Sequence, residues 1–139
     1  MRRLLLGLLA MLAMTFANPA LAGNAPQPGL FVKPGESWAF KVVDGQPTEP
    51  RQLTSGDQGN PGEITVRFSS DGSMLQVRSR AEASYNYQAF IARKPDERGK
   101  RTSVCTLIPG VMAMESWPGG LPGIRLTNFT EAGEGMICA

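Results

Sequence analysis

The 139-residue chain contains no histidine. That absence removes the usual general base at neutral pH, the Ser-His and Cys-His nucleophile pairs, and most zinc sites. Lysine and carboxylate bases remain, so catalysis is narrowed but not abolished. No nucleophile elbow, phosphate-cradling glycine loop or calcium-loop spacing occurs. Asp57, Asp71 and Asp96 lie among Gly, Ser and Pro, where aspartate serves local backbone geometry. Glu131 and Glu134 fall in the glycine-spaced stretch TEAGEG, which reads as an exposed turn. Glu115 would need a second carboxylate near it in space to cleave a glycoside, and sequence supplies none. The chain therefore reads as a non-enzyme that needs no cofactor and no metal.

Long apolar runs are also missing, with one exception at the start. MRRLLLGLLAMLAMTFANPALA, residues 1–22, has a basic beginning at Arg2 and Arg3, an apolar run from Leu4 to Phe16, then Asn18-Pro19 and a small-residue ending Ala20-Leu21-Ala22. This is the pattern of a secretory signal peptide cleaved after Ala22. The run falls short of the roughly 20 residues of a comfortable membrane span. No cysteine follows the cleavage point, so bacterial-style lipid attachment has no acceptor there. The expectation is a single β domain over residues 23–139, free in the periplasm or secreted, with no stable membrane insertion after leader removal.

Net charge is nearly absent as well. Loss of Arg2 and Arg3 lowers the 14 basic residues by two, to 12, equal to the 12 acidic ones. A near-neutral product has no broad attraction for nucleic acid or anionic lipid. The local cluster RKPDERGKR, Arg93 to Arg101, reads as a solvated hairpin tip. Cysteine is scarce but paired: Cys105 and Cys138 are the only two. In an oxidising compartment an even pair reads as one disulfide.

What is present is alternation. Apolar and polar residues alternate between turn signals about ten residues apart, the pattern of an antiparallel all-β sandwich or barrel; about seven strands are expected. EITVRFSSDGSMLQVRSR predicts a hairpin about Asp71-Gly72. That register sets Phe68 opposite Leu75, Val66 opposite Val77 and Ile64 opposite Ser79, with Thr65 facing Arg78, Arg67 facing Gln76 and Glu63 facing Arg80. SWAFKVV predicts a core strand with Trp38, Phe40 and Val42 on one face, followed by an Asp44-Gly45 turn. Pro47 and Pro50 make QPTEPRQL an edge strand or a loop, because proline cannot donate to a ladder. AEASYNYQAFIAR reads as one long strand, RTSVCTLI and GIRLTNFT as two more, and GMIC as a short last one. PGVMAMESWPGGLPG reads as a connection with room for a short strand, and Leu30 to Val32 as cover for an open end.

Two surfaces are candidates for binding. In the first, Met112, Met114, Glu115, Trp117 and Leu121 form a partner-binding loop. Prolines limit its freedom, the disulfide fixes its base, and Trp117 serves as anchor; folded back instead, the same residues would close the end of the fold. In the second, Trp38, Tyr85 and Tyr87 line a cavity for a small ligand or glycan. The expectation is an exported binding protein, an inhibitor or interaction module for another envelope or exported protein. The alternatives are a ligand-binding β domain or a subunit of an envelope assembly, the last signalled by an unpaired apolar edge strand.

Overall fold

The computed structural model describes residues 26–139, so the expected leader over residues 1–22 lies outside the described residues. Nine strands run through them: β1 (Leu30–Val32), β2 (Ser37–Val43), β3 (Gln46–Gln52), β4 (Ile64–Phe68), β5 (Met74–Ser79), β6 (Tyr85–Ile91), β7 (Lys100–Thr102), β8 (Met112–Ser116) and β9 (Ile124–Glu131). They form two antiparallel sheets, β1-β9-β6-β7 and β3-β2-β4-β5-β8, laid face to face as a sandwich. Among the described residues no helix is long and apolar enough to cross a membrane.

The core is what alternation predicts. Phe40, Ile64, Val66, Leu75 and Val77 come from one sheet and Tyr87, Ala89, Ile124, Leu126 and Phe129 from the other, all buried. Each large side chain removed from water contributes about 1.5–3 kcal/mol. Phe129 is the aromatic centre, stacked on Tyr87 with centroids 5.2 Å apart and meeting Phe40 edge-on at 5.6 Å. Trp38 and Val42 pack against this core from β2, as their spacing predicts.

The β4–β5 register is the predicted one at every pair from Ile64↔Ser79 to Phe68↔Leu75. Its turn is not the expected two-residue form. The Gly72 N–H bonds the Ser69 carbonyl at 2.9 Å, and the Asp71 carboxylate takes the Ser69 and Ser73 hydroxyls, each at 2.7 Å. Gly72 has φ +70° while Asp71 is not left-handed, so a type I turn followed by a left-handed glycine closes a longer loop in the same register. The two-residue form occurs at Asp44-Gly45 instead, where both residues have positive φ and Val43 pairs with Gln46. β3 is an edge strand, one of the two outcomes Pro47 and Pro50 allow, and its register shifts near Glu49, which has φ +50°.

The sheet inventory corrects four strand readings. The alternation from Ala81 onward becomes β6 only at Tyr85, because the preceding residues carry the chain from one sheet to the other. RTSVCTLI is regular only at its start, in β7. Val104 and Thr106 then turn their backbone groups to the C-terminal segment: Val104 and Ala139 exchange bonds of 3.0 Å, and the Thr106 N–H reaches the Ile137 carbonyl at 2.8 Å. GMIC is accordingly a bridge and not a strand, with Cys105 opposite Cys138 and the disulfide formed between them. Leu30 to Val32 covers no open end; it is the edge strand β1 beside β9.

Residues 53–62 fold over the outer face of the five-stranded sheet. Ala39 and Thr65, paired on that face, are both buried, and a Cβ on Gly59 would meet the Thr65 methyl at 2.6 Å. Three arginines pin the segment. Arg51 grips Glu63 with two bonds of 3.0 and 3.1 Å and Asp57 with one of 2.7 Å. Arg67 and Arg80 donate to the carbonyls of Asp57 and Gly59. Asp57 also accepts the Gly59 N–H at 2.9 Å, the turn role its sequence predicts.

Two measurements test this fold. Closing the Cys105–Cys138 loop, of sequence separation 33, stabilises by about 3–4 kcal/mol in the chain-entropy model. Urea unfolding of the Cys105→Ser, Cys138→Ser double variant should show a loss of that size, matched by reduction of the native protein. The Arg51 hydrogen bonds also hold the Asp57 and Glu63 carboxyls below their ordinary values. Lowered carboxyl values add stability that is complete above about pH 4.5 and is lost as pH falls through the folded-state values. Arg51→Met should therefore flatten the acid limb of the stability–pH curve, read by urea midpoints from neutrality to about pH 3.

Candidate functional site

Period-two alternation through Met112–Ser116 builds the site. On β8, Met112 and Met114 point to solvent, 47 % and 54 % exposed, while Ala113 and Glu115 turn inward. Among the described residues the strand pairs only with β5, in the register Leu75↔Glu115 and Val77↔Ala113, and is the outermost strand of its sheet. Glu115 does not present its charge outward: Oε1 accepts the Cys105 N–H at 2.9 Å. β8 is thus tied to the disulfide-bearing segment of the other sheet.

The tryptophan loop is folded onto the body of the protein. Trp117 and Leu121 are half-buried against the core, and the indole Nε1 donates to the Thr102 hydroxyl of β7 at 2.9 Å. The Trp117 N–H reaches the Ser73 carbonyl and the Leu121 N–H the Gly72 carbonyl, both at 2.8 Å. Loop and β4–β5 turn approach so closely that a Cβ on Gly72 would strike the Leu121 carbonyl, and one on Gly120 the Asp71 carbonyl. Of the two geometries open to this loop, the structure adopts the one folded back. Of the five candidate residues, Met112 and Met114 face solvent, Glu115 is committed to Cys105, and Trp117 and Leu121 pack against the core.

The second candidate set is dispersed. Tyr87 stacks on Phe129, Tyr85 meets the same ring edge-on with centroids 6.3 Å apart, and Trp38 donates Nε1 to Glu36 at 3.1 Å from β2. The structure brings the two tyrosines together around Phe129 but does not gather all three rings about one cavity. Tyr87 borders a cleft of about 270 Å³, whose other walls include Asn86, Gln88, Cys105, Thr106 and Asn128. That cleft is a polar network: the Thr106 hydroxyl bonds Asn86 at 2.6 Å, and Asn128 Nδ2 donates to Gln88 at 2.8 Å. The Tyr87 hydroxyl is buried and has no hydrogen-bond partner among the described residues. Burial, and then the Glu115 charge, push its pKa up.

Comparison with known proteins found no matching family, no matching curated protein and no matching solved structure.

The short strand for which the sequence left room is β8: Met112, Met114 and Ser116 share one parity and Ala113, Glu115 and Trp117 the other, between Pro109 and Pro118. Sequence reasoning missed one feature here. The Arg51–Asp57–Glu63 cluster carried no local signal, because its members come together across a loop.

Removing the Trp117 ring is expected to cost stability. Trp117→Ala should lose about 2–4 kcal/mol through the vacated space and the lost bond to Thr102. Trp117→Phe, which keeps a ring but no donor, should lose about 1 kcal/mol. Urea unfolding of both variants reads the difference.

Proposed function

We propose that this chain is an exported, non-catalytic binding module that engages another polypeptide of the envelope or the secreted fraction, as inhibitor or interaction partner, through β8. The observation that carries this reading is the edge position of β8 with Met112 and Met114 exposed along it. An edge strand offers a row of backbone donors and acceptors, and an incoming extended segment adds to it by main-chain bonds, with side chains setting specificity. Methionine suits such a face, since its unbranched, polarisable side chain adapts to different partners. The leader pattern, the sulfur bridge and the lack of histidine support export and a role in binding. An inhibitor and an assembly subunit would present this same edge.

Affinity capture from envelope extract tests the proposal. Protein carrying Met112→Lys and Met114→Lys should fold with unchanged melting temperature, because both side chains already face water. Its yield of specific partner should fall at least about tenfold, equivalent to about 1.4 kcal/mol. Equal capture by native and variant protein would rule out β8 as the contact.

A further inference from the structure

We infer that in the free protein the β8 edge is occupied by a second copy of the same chain, β8 pairing antiparallel with β8 across a two-fold axis at Met114. The inference rests on the reading of β8 as a docking edge and names the occupant that fits it.

The first ground is the direction of the backbone groups. In an antiparallel ladder alternate residues face the partner strand and the free side. The Trp117 N–H bonds the Ser73 carbonyl, which fixes the phase. With Leu75↔Glu115 and Val77↔Ala113 in register, Ala113 and Glu115 face β5, and Met112, Met114 and Ser116 face outward. A second β8 centred on Met114 sets Met112 against Ser116 of the other copy and Met114 against itself. All three outward residues then lie in hydrogen-bonded positions, giving about six backbone bonds.

Charge is the second ground. Glu115 is the strand's one ionisable residue; its carboxylate is drawn to the Cys105 N–H, and in this register it meets Ala113 of the other copy. No like charges stand opposite one another, a pairing that would destabilise. The contact is self-complementary, as a two-fold interface requires.

The third ground is contrast with the other sheet edges. β3 carries Pro47, Pro50 and a register shift; β7 is only Lys100–Thr102, with two cations; β1 is three residues long and followed by Lys33. Proline, shortness, charge and bulges are the devices that protect edges. β8 has five residues with no proline and no register shift, and its one charge, Glu115, is drawn to the Cys105 N–H. The apolar surface follows the same line: Val111, Met112, Met114, Met136 and Ile137 are five of the six large apolar side chains left exposed among the described residues. They lie on two segments that both attach to Cys105, one through Glu115 and one through Cys138.

Analytical ultracentrifugation of the exported protein tests the inference at about 100 µM, where a contact of micromolar Kd is mostly formed. The native protein should sediment as a dimer. Met114→Pro removes an N–H that faces away from β5, and Met114→Lys sets two cations against each other on the axis. Both variants should sediment as monomers with near-native melting temperatures, and Met114→Lys alone decides the matter where the proline variant does not fold. A monomeric native protein, or a dimer that persists in the folded variants, overturns the inference. A monomer whose partner capture still depends on Met112 and Met114 overturns the second copy and leaves the binding function standing; a monomer with β8-independent capture overturns both.

Discussion

The backbone around Cys105 is held from three directions, and the placement of the candidate surface follows from it. Sulfur ties it to Cys138, the flanking residues Val104 and Thr106 bond the C-terminal segment, and its own N–H is taken by Glu115. These bonds join the edge of one sheet to the edge of the other at a place where the two layers share no ladder. The inward turn of Glu115 has a direct consequence, because alternation then places Met112 and Met114 in solvent. A chain of this size buries only about two thirds of its unfolded surface, so a covalent tie at such a margin matters more than it would in a large core.

The opposite margin is organised by a different force. At the Gly45 turn the Phe129 N–H bonds the Gly45 carbonyl at 2.8 Å, and Gln46 reaches Thr127 and Asn128 with bonds of 2.9 and 3.0 Å. Asn128 takes φ +53° beside the register shift of β9 against β6. Polar side chains here do what sulfur does at the other end. Between the two margins the core is almost wholly hydrocarbon, with Phe129 in contact with both tyrosines.

The β4–β5 hairpin was legible because its evidence is local: a turn signal and strict alternation within eighteen residues demanded one register, and that register held although the turn took another form. The Trp38, Phe40 and Val42 face was legible for the same reason. β8 was legible only as room for a short strand, since its partner β5 lies far away in sequence and proline and glycine on both sides masked its bounds. Trp117 had two geometries open to it, and the contact that decided between them, Thr102, belongs to the other sheet. The buried Glu63 was read only as a strand-end residue facing Arg80, because the arginine that grips it comes from β3. What sequence withheld was the set of contacts between distant segments.

The prolines of β3 set a limit on growth. Pro47 and Pro50 cannot supply amide hydrogens at the far margin of the five-stranded sheet, so any strand that joins at β8 finds no matching vacancy opposite. A ribbon joined to this protein through β8 would therefore meet, at the other margin of the sheet, an edge that disfavours the next strand.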